Sequence, residues 1–220
     1  MNHPDLRAAG TRDHPIPFAE FSPPYRVNFG CSQVKLNGYL NVDVVAEFEP
    51  DLVCDVGQTP MPFPDGSAAE IVMIHLLEHL PHHNLDHAQS PQRRFLHDCY
   101  RILRPGGTIQ IVGPNIEFFC AELMRINKHL SEPEDPEGVA PAGMDPMYHY
   151  DGTVICFLSD QREEAVVDRP RQSEIQSFMR HWWLLTGEYI VELLRRAGFV
   201  DVNLDETWPK TEVSVMGLKP

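Results

Sequence analysis

Residues 25–55, YRVNFGCSQVKLNGYLNVDVVAEFEPDLVCD, are the part of this chain that most constrains its fold. They set three strand-like segments, a glycine turn and two strand-end carboxylates in an order that suits the ligand edge of an open parallel sheet. Arg26 to Phe29 reads as a short apolar strand ending at Gly30, where the missing Cβ lets the backbone turn sharply and a ligand come close. Leu40 to Val45 is a second strand, with Asp43 near its C-terminal end, and Asp51 to Asp55 is a third. Ligands of such sheets bind outside the carboxyl ends of the strands, so Gly30 and Asp43 face one crevice. A carboxylate there can accept both hydroxyls of a ribose. Asp55, followed by Val56, sits beside Asp43, where a carboxylate can reach the exocyclic amine of an adenine.

The glycine pattern itself is abbreviated. Gly30-Cys31-Ser32 keeps only the first glycine of G-x-G, and Asp43 comes much sooner than the about 20 residues usual for a dinucleotide site, so the intervening helix is short or absent. The turn TPMPFPDGSAAE punctuates strongly, and Ala69 to His75 follows as a buried strand. Pro91 to Leu103 reads as a helix with proline at its first position and Phe95, Leu96, Cys99, Tyr100 and Leu103 on one face. Arg104 to Gly107 ends it, and Thr108 to Val112 is a further strand.

The segments VNFGCS, GYLNVDV, DLVCDVGQTPMPFPDGSAAEIVMIHLLEHL and FLHDCYRILRPGGTIQIVGPN resemble the class I S-adenosylmethionine-dependent methyltransferases, in particular a subgroup with a compressed first loop. The core of the resemblance covers roughly residues 25 to 115, and residues 187 to 220 look like the last helix and antiparallel strand pair of that fold. Ser32 stands where the family usually has glycine. The resemblance implies a Rossmann-like, doubly wound α/β sheet of seven strands, the last antiparallel, with S-adenosylmethionine as cofactor. It places Gly30, Cys31 and Ser32, Asp43 and Val44, Asp55 and Val56, and Ile74 and His75 around that cofactor. The implied reaction is an in-line attack on a sulfonium methyl by an O- or N-nucleophile of a small-molecule acceptor, with His79, His149 or His181 suited to act as general base. An alternative is a protein of this fold that binds the cofactor without methylating, as a cyclase- or isomerase-like enzyme or a non-catalytic subunit.

Composition limits the partners. A formal net charge of -14 opposes a phosphate backbone, which argues against a nucleic-acid substrate and favours a neutral or cationic small molecule. No apolar run approaches the roughly 20 residues needed to cross a bilayer, and the N-terminus lacks a signal-peptide pattern. The five cysteines, without a C-x-x-C pair, read as small buried residues of a reducing, cytoplasmic setting.

Residues 1 to 24, rich in proline, form an arm that is either mobile or packed across the sheet; residues 25 to 220 read as one methyltransferase domain. Within it, residues from about 131 to 186 interrupt the core as a lid over the substrate. Tyr148, His149, Tyr150, His181, Trp182 and Trp183 are candidates to wall an acceptor pocket, His149 and His181 foremost, and the alternative for Trp182, Trp183 and Leu184 is packing of the lid or a homodimer interface. His75-Leu-Leu-Glu78-His79 also matches the inverted zinc-peptidase signature. That signature needs a continuous helix, whereas here His75 closes an apolar strand and Pro81 follows closely, so no metal site is assigned. Glu78 and His79 lie at the mouth of the crevice, where a structural cap and a substrate contact compete as readings.

Overall fold

The computed structural model describes residues 9–58, 60–80, 90–131 and 185–220. Seven strands form one sheet in the order β5-β4-β2-β6-β7-β9-β8: Leu52–Val53, Leu40–Asp43, Tyr25–Phe29, Ala68–Ile74, Leu103–Pro114, Glu212–Leu218 and Val200–Leu204. The first five run parallel to one another, and β9 is antiparallel to both β7 and β8. This is the Rossmann-like sheet expected. The chain moves outward from β2 to β4 and β5, then returns to the other side of β2 with β6, so the order reverses beside β2. Crevices of this fold form at such a reversal.

Helices α1 (Pro91–Ile102), α2 (Ile116–Ser131) and α3 (Gly187–Arg196) accompany the sheet. The Ser90 side chain accepts from the Arg93 N–H at the start of α1, with Pro91 at the first position, and Thr186 caps α3 in the same way by accepting from Tyr189. Phe95, Leu96, Cys99 and Ile102 turn into a core shared with Val27, Phe29, Ile71, Met73, Ile109 and Ile111 from the strands. Each fully buried large side chain of this kind contributes about 1.5–3 kcal/mol.

No helix separates β2 from β4. The connection instead contains β3 (Lys35–Leu36), which pairs with β1 (Thr11–Arg12) in a small second sheet. Residues 9–24 are thereby packed on the domain, and the Arg12 guanidinium binds the buried carboxylate of Asp51. Asn41 ties these pieces together. Its side-chain oxygen accepts from the Asn28 amide (2.9 Å) and the Leu36 N–H (2.8 Å), and its own amide donates to the Leu36 and Tyr39 carbonyls and to Asp51.

Two boundaries differ from expectation. The second and third strands are shorter, ending at Asp43 and Val53. Leu103 already belongs to β7, because it pairs with Ala68 before Thr108 pairs with Glu70. Arg104 to Gly107, which read as a break, is a bulged excursion within the strand, made possible by Gly106 at φ +75°.

Candidate functional site

At the reversal point, the carboxyl ends of β2, β4, β5 and β6 enclose a cleft of about 250 Å³. Gly30 and Ser32 form its floor, Val44, Val45, Phe48, Val56 and Leu80 give it apolar walls, and Asp43, Asp55, His75 and His79 supply the polar groups. An apolar lining with a few convergent polar groups is the usual character of a small-molecule site.

The glycine turn is built by close packing. Gly30 lies at φ +68°, and a Cβ there would stand 3.0 Å from the Leu76 side chain, so both backbone and space require glycine. The Gly30 and Cys31 N–H groups donate to the Val42 carbonyl across the β2–β4 gap. Ser32 adopts φ +46°, a left-handed conformation costly for a residue with a Cβ. Its N–H donates to Asp43 Oδ2 at 2.8 Å, and the Val45 N–H donates to Asp43 Oδ1 at 2.9 Å. Each oxygen of this buried carboxylate thus carries one backbone donor and keeps lone pairs for a ligand. Asp55 is likewise oriented, accepting from the Gly57 N–H and the Gln58 amide. The serine in the glycine turn therefore leaves the turn geometry intact and contributes the donor that aims Asp43.

The opposite wall has a different construction. Strand β6 ends at Ile74, His75 takes φ +52°, and a single 3-10 turn follows at Leu77–His79. The continuous helix of the zinc-peptidase signature is not formed, because His75 leaves the strand in a left-handed conformation. Its N–H remains tied to the Val112 carbonyl. Its ring lies between two carboxylates, Nδ1 3.2 Å from Glu78 and Nε2 3.4 Å from Glu212 on β9. Hydrogen bonding to Glu78 raises the His75 pKa against the opposing effect of burial, and the charges of Glu78 and Glu212 raise it further. Glu78 is wholly buried, and its Oε2 has no hydrogen-bond partner among the described residues. That oxygen faces Gly113, where a Cβ would come within 3.5 Å of it and 3.1 Å of Leu185.

Of the residues anticipated around a cofactor, Gly30, Ser32, Asp43, Val44, Asp55, Val56, Ile74 and His75 all line this cleft. Cys31 does not: it is buried beneath the turn, and burial, with the charge of Asp43, pushes its thiol up to about 12. His79 also lines the cleft. His149 and His181 lie outside the described residues, as does the anticipated lid apart from its two ends. Sequence reading passed over Val45, Phe48, Leu76 and Leu80, which are apolar residues beside the motifs, and Glu212, whose place in the site depends on the pairing of β9 with β7.

Residues 34–111 match the family model described as a methyltransferase domain. No curated protein matches the chain. Among solved structures, the chain is similar to a possible exported protein from Bordetella parapertussis (14% identity, TM-score 0.49), covering 92% of this chain and 64% of that one. It is also similar to a SAM-dependent methyltransferase from Aquifex aeolicus (12%, TM-score 0.46, 90% and 84% covered). A third is a possible histamine N-methyltransferase from Thermotoga maritima (15%, TM-score 0.46, 89% and 82% covered). The sheet order and the family match define the class of protein, a Rossmann-like methyltransferase domain. The family match covers about a third of the chain, and S-adenosylmethionine is the cofactor consistent with it. The cleft fits that group: a glycine where the ligand must approach, a pre-aimed carboxylate with spare lone pairs, and apolar walls of adenine-accepting character. No described helix is long and apolar enough to cross a membrane.

Proposed function

We propose that this chain transfers a methyl group from S-adenosylmethionine to a hydroxyl or amine of a small-molecule acceptor. The observation that carries this reading is the Asp43 carboxylate, aimed into the cleft by two backbone N–H groups beside the glycine turn. In this reading Asp43 accepts the ribose hydroxyls and Asp55 the adenine amine. Val44, Val45, Phe48 and Val56 cover the base, and Gly30 lets the backbone approach the remainder of the cofactor. S-adenosylmethionine, when bound, supplies a methyl group already activated as an electrophile. The chain's own contribution is to hold the two reactants in line and to exclude water, and such alignment contributes about 7–11 kcal/mol in favourable cases. The intact turn around Ser32 supports a working cofactor grip over a degenerate one.

Calorimetric titration with S-adenosylhomocysteine tests the reading. Binding to the wild type, and an affinity about ten- to a hundredfold lower in Asp43→Ala, follow from losing hydrogen bonds to a charged group worth about 1.5–3 kcal/mol. Equal affinities in the two proteins would remove Asp43 from the site.

A further inference from the structure

The segment after β6 lines the cleft with His75, Leu76, His79 and Leu80, and behind it lies a group that the cofactor reading does not use. Glu78 is a fully buried carboxylate with one oxygen unpartnered among the described residues, and its other oxygen is spent on the Nδ1 of a histidine that opens onto the cleft. Buried carboxylates without full hydrogen bonding are costly, and one retained beside a cleft marks a site where the charge is needed. We propose that His75 is the general base of the acceptor site and that Glu78 is its positioning residue, so that the acceptor is a molecule whose nucleophile must shed a proton, a neutral hydroxyl or an ammonium group. This rests on the methyl-transfer reading above and adds to it the identity of the base and the protonation state of the acceptor.

The geometry gives the ring two unlike neighbours. Glu78 comes from the turn following His75 and is buried, so it holds Nδ1–H permanently. Glu212 stands on β9 at the partly exposed rim, with 26% of its side chain accessible, and meets Nε2 at the longer distance. When His75 is protonated, Nε2–H donates to Glu212. When it is neutral, the Nε2 lone pair and the Glu212 carboxylate repel, and the rim side chain is free to give way to an acceptor. Nε2 takes the proton of a hydroxyl as the oxygen lone pair forms its bond to the methyl carbon, or takes the proton of an ammonium group first, and the nitrogen pair so freed then forms that bond. The carbon–sulfur bond breaks toward sulfur, leaving the methylated acceptor, S-adenosylhomocysteine and a protonated His75 that returns its proton to solvent. Glu78 and Glu212 are the charged groups against the ring; Asp43, Asp55 and His79 line the same cleft. Groups at the ends of two strands, β6 and β9, thus converge on one imidazole, and its left-handed backbone is the strain that aims it.

The test has a readout independent of activity. In protein labelled with ¹⁵N-histidine, with His75 assigned by difference from His75→Gln, the neutral ring is expected as the Nδ1–H tautomer. Its titration midpoint should lie above that of an ordinary histidine and fall in Glu78→Gln, which keeps an acceptor but loses the charge. A neutral ring in the Nε2–H tautomer, or a midpoint unmoved by Glu78→Gln, overturns the proposal. In parallel, transfer of radiolabelled methyl to phenols, aliphatic alcohols and primary amines should be lost in His75→Gln by a far larger factor than S-adenosylhomocysteine affinity falls, which separates the base from a residue that only lines the cofactor cleft. Transfer retained by His75→Gln also overturns it. A chain that fails to bind S-adenosylhomocysteine at all sinks the methyl-transfer reading instead, and the tautomer then decides the dyad alone.

Discussion

The two walls of the cleft solve opposite problems. On the β2–β4–β5 side every anionic group is satisfied locally: Asp43 accepts from Ser32 and Val45, and Asp55 from Gly57 and Gln58. On the side that follows β6, Glu78 keeps an oxygen with no partner among the described residues, and His75 reaches a partner on the far C-terminal strand. The first wall is pre-organised, which suits a ligand that is always the same. The second holds unsatisfied polar capacity, which lowers stability and is useful only if something arrives to use it.

The sharpest way to break this contrast is to replace each carboxylate by leucine. Asp43→Leu strands two backbone N–H groups, and chemical denaturation should show it less stable by about 2–4 kcal/mol. Glu78→Leu made together with His75→Leu removes the whole ion pair, and stability should stay within about 1 kcal/mol of wild type, because apolar replacement of a buried ion pair is often neutral or stabilising. Equal losses would mean that the two walls are built alike.

Backbone strain offers a second comparison. Gly30→Ala meets both a positive φ and the Leu76 side chain, so it should destabilise by about 1–3 kcal/mol and weaken S-adenosylhomocysteine binding. Ser32→Gly, two residues on, should stabilise by up to about 1 kcal/mol and leave cofactor affinity unchanged, since only the Ser32 N–H is used to hold Asp43. A loss of affinity in Ser32→Gly, measured by the same titration, would assign the hydroxyl a direct role.

The smallest expected effect is a pH dependence. The folded-state pKa of His75 is raised, so its pairing with Glu78 and Glu212 stabilises the fold fully below the unfolded histidine pKa of 6.5 and is lost as pH rises through the folded value. The stability difference between wild type and His75→Gln should therefore shrink as pH rises across that window in paired melting curves. A difference that grows with pH would mean that the ring is held neutral.

Much of the first wall was legible in the sequence, because its parts are close neighbours along the chain. A glycine at a strand end and a carboxylate at the next strand end imply each other once the parallel sheet is assumed. The second wall was less so. The three residues of His75, Glu78 and Glu212 include one from β9, and only the antiparallel pairing of β7 with β9, which sets Pro114 opposite Glu212, brings it to His75. The H-x-x-E-H pattern drew attention to the right histidine and glutamate for a metal chemistry that the left-handed His75 backbone does not allow. Apolar wall residues such as Phe48 and Leu80 carried no signal, since an apolar side chain beside a motif is indistinguishable from core until the crevice is seen.

The buried amide of Asn41 has a consequence for how this site can vary. Its oxygen and nitrogen contact Asn28, Leu36, Tyr39 and Asp51 at once, and a slip of β4 by one residue against β2 would turn that amide to the opposite face and strand all of them. The register of β4 is therefore indexed by Asn41, and the height of Asp43 in the cleft follows from a residue that never touches the ligand. The connection from Gly30 to Gly38 shares in this indexing, since its Leu36 meets the Asn41 amide and its Ser32 N–H holds Asp43. The compressed first loop is thus part of the gauge that sets the acid, not slack between two strands.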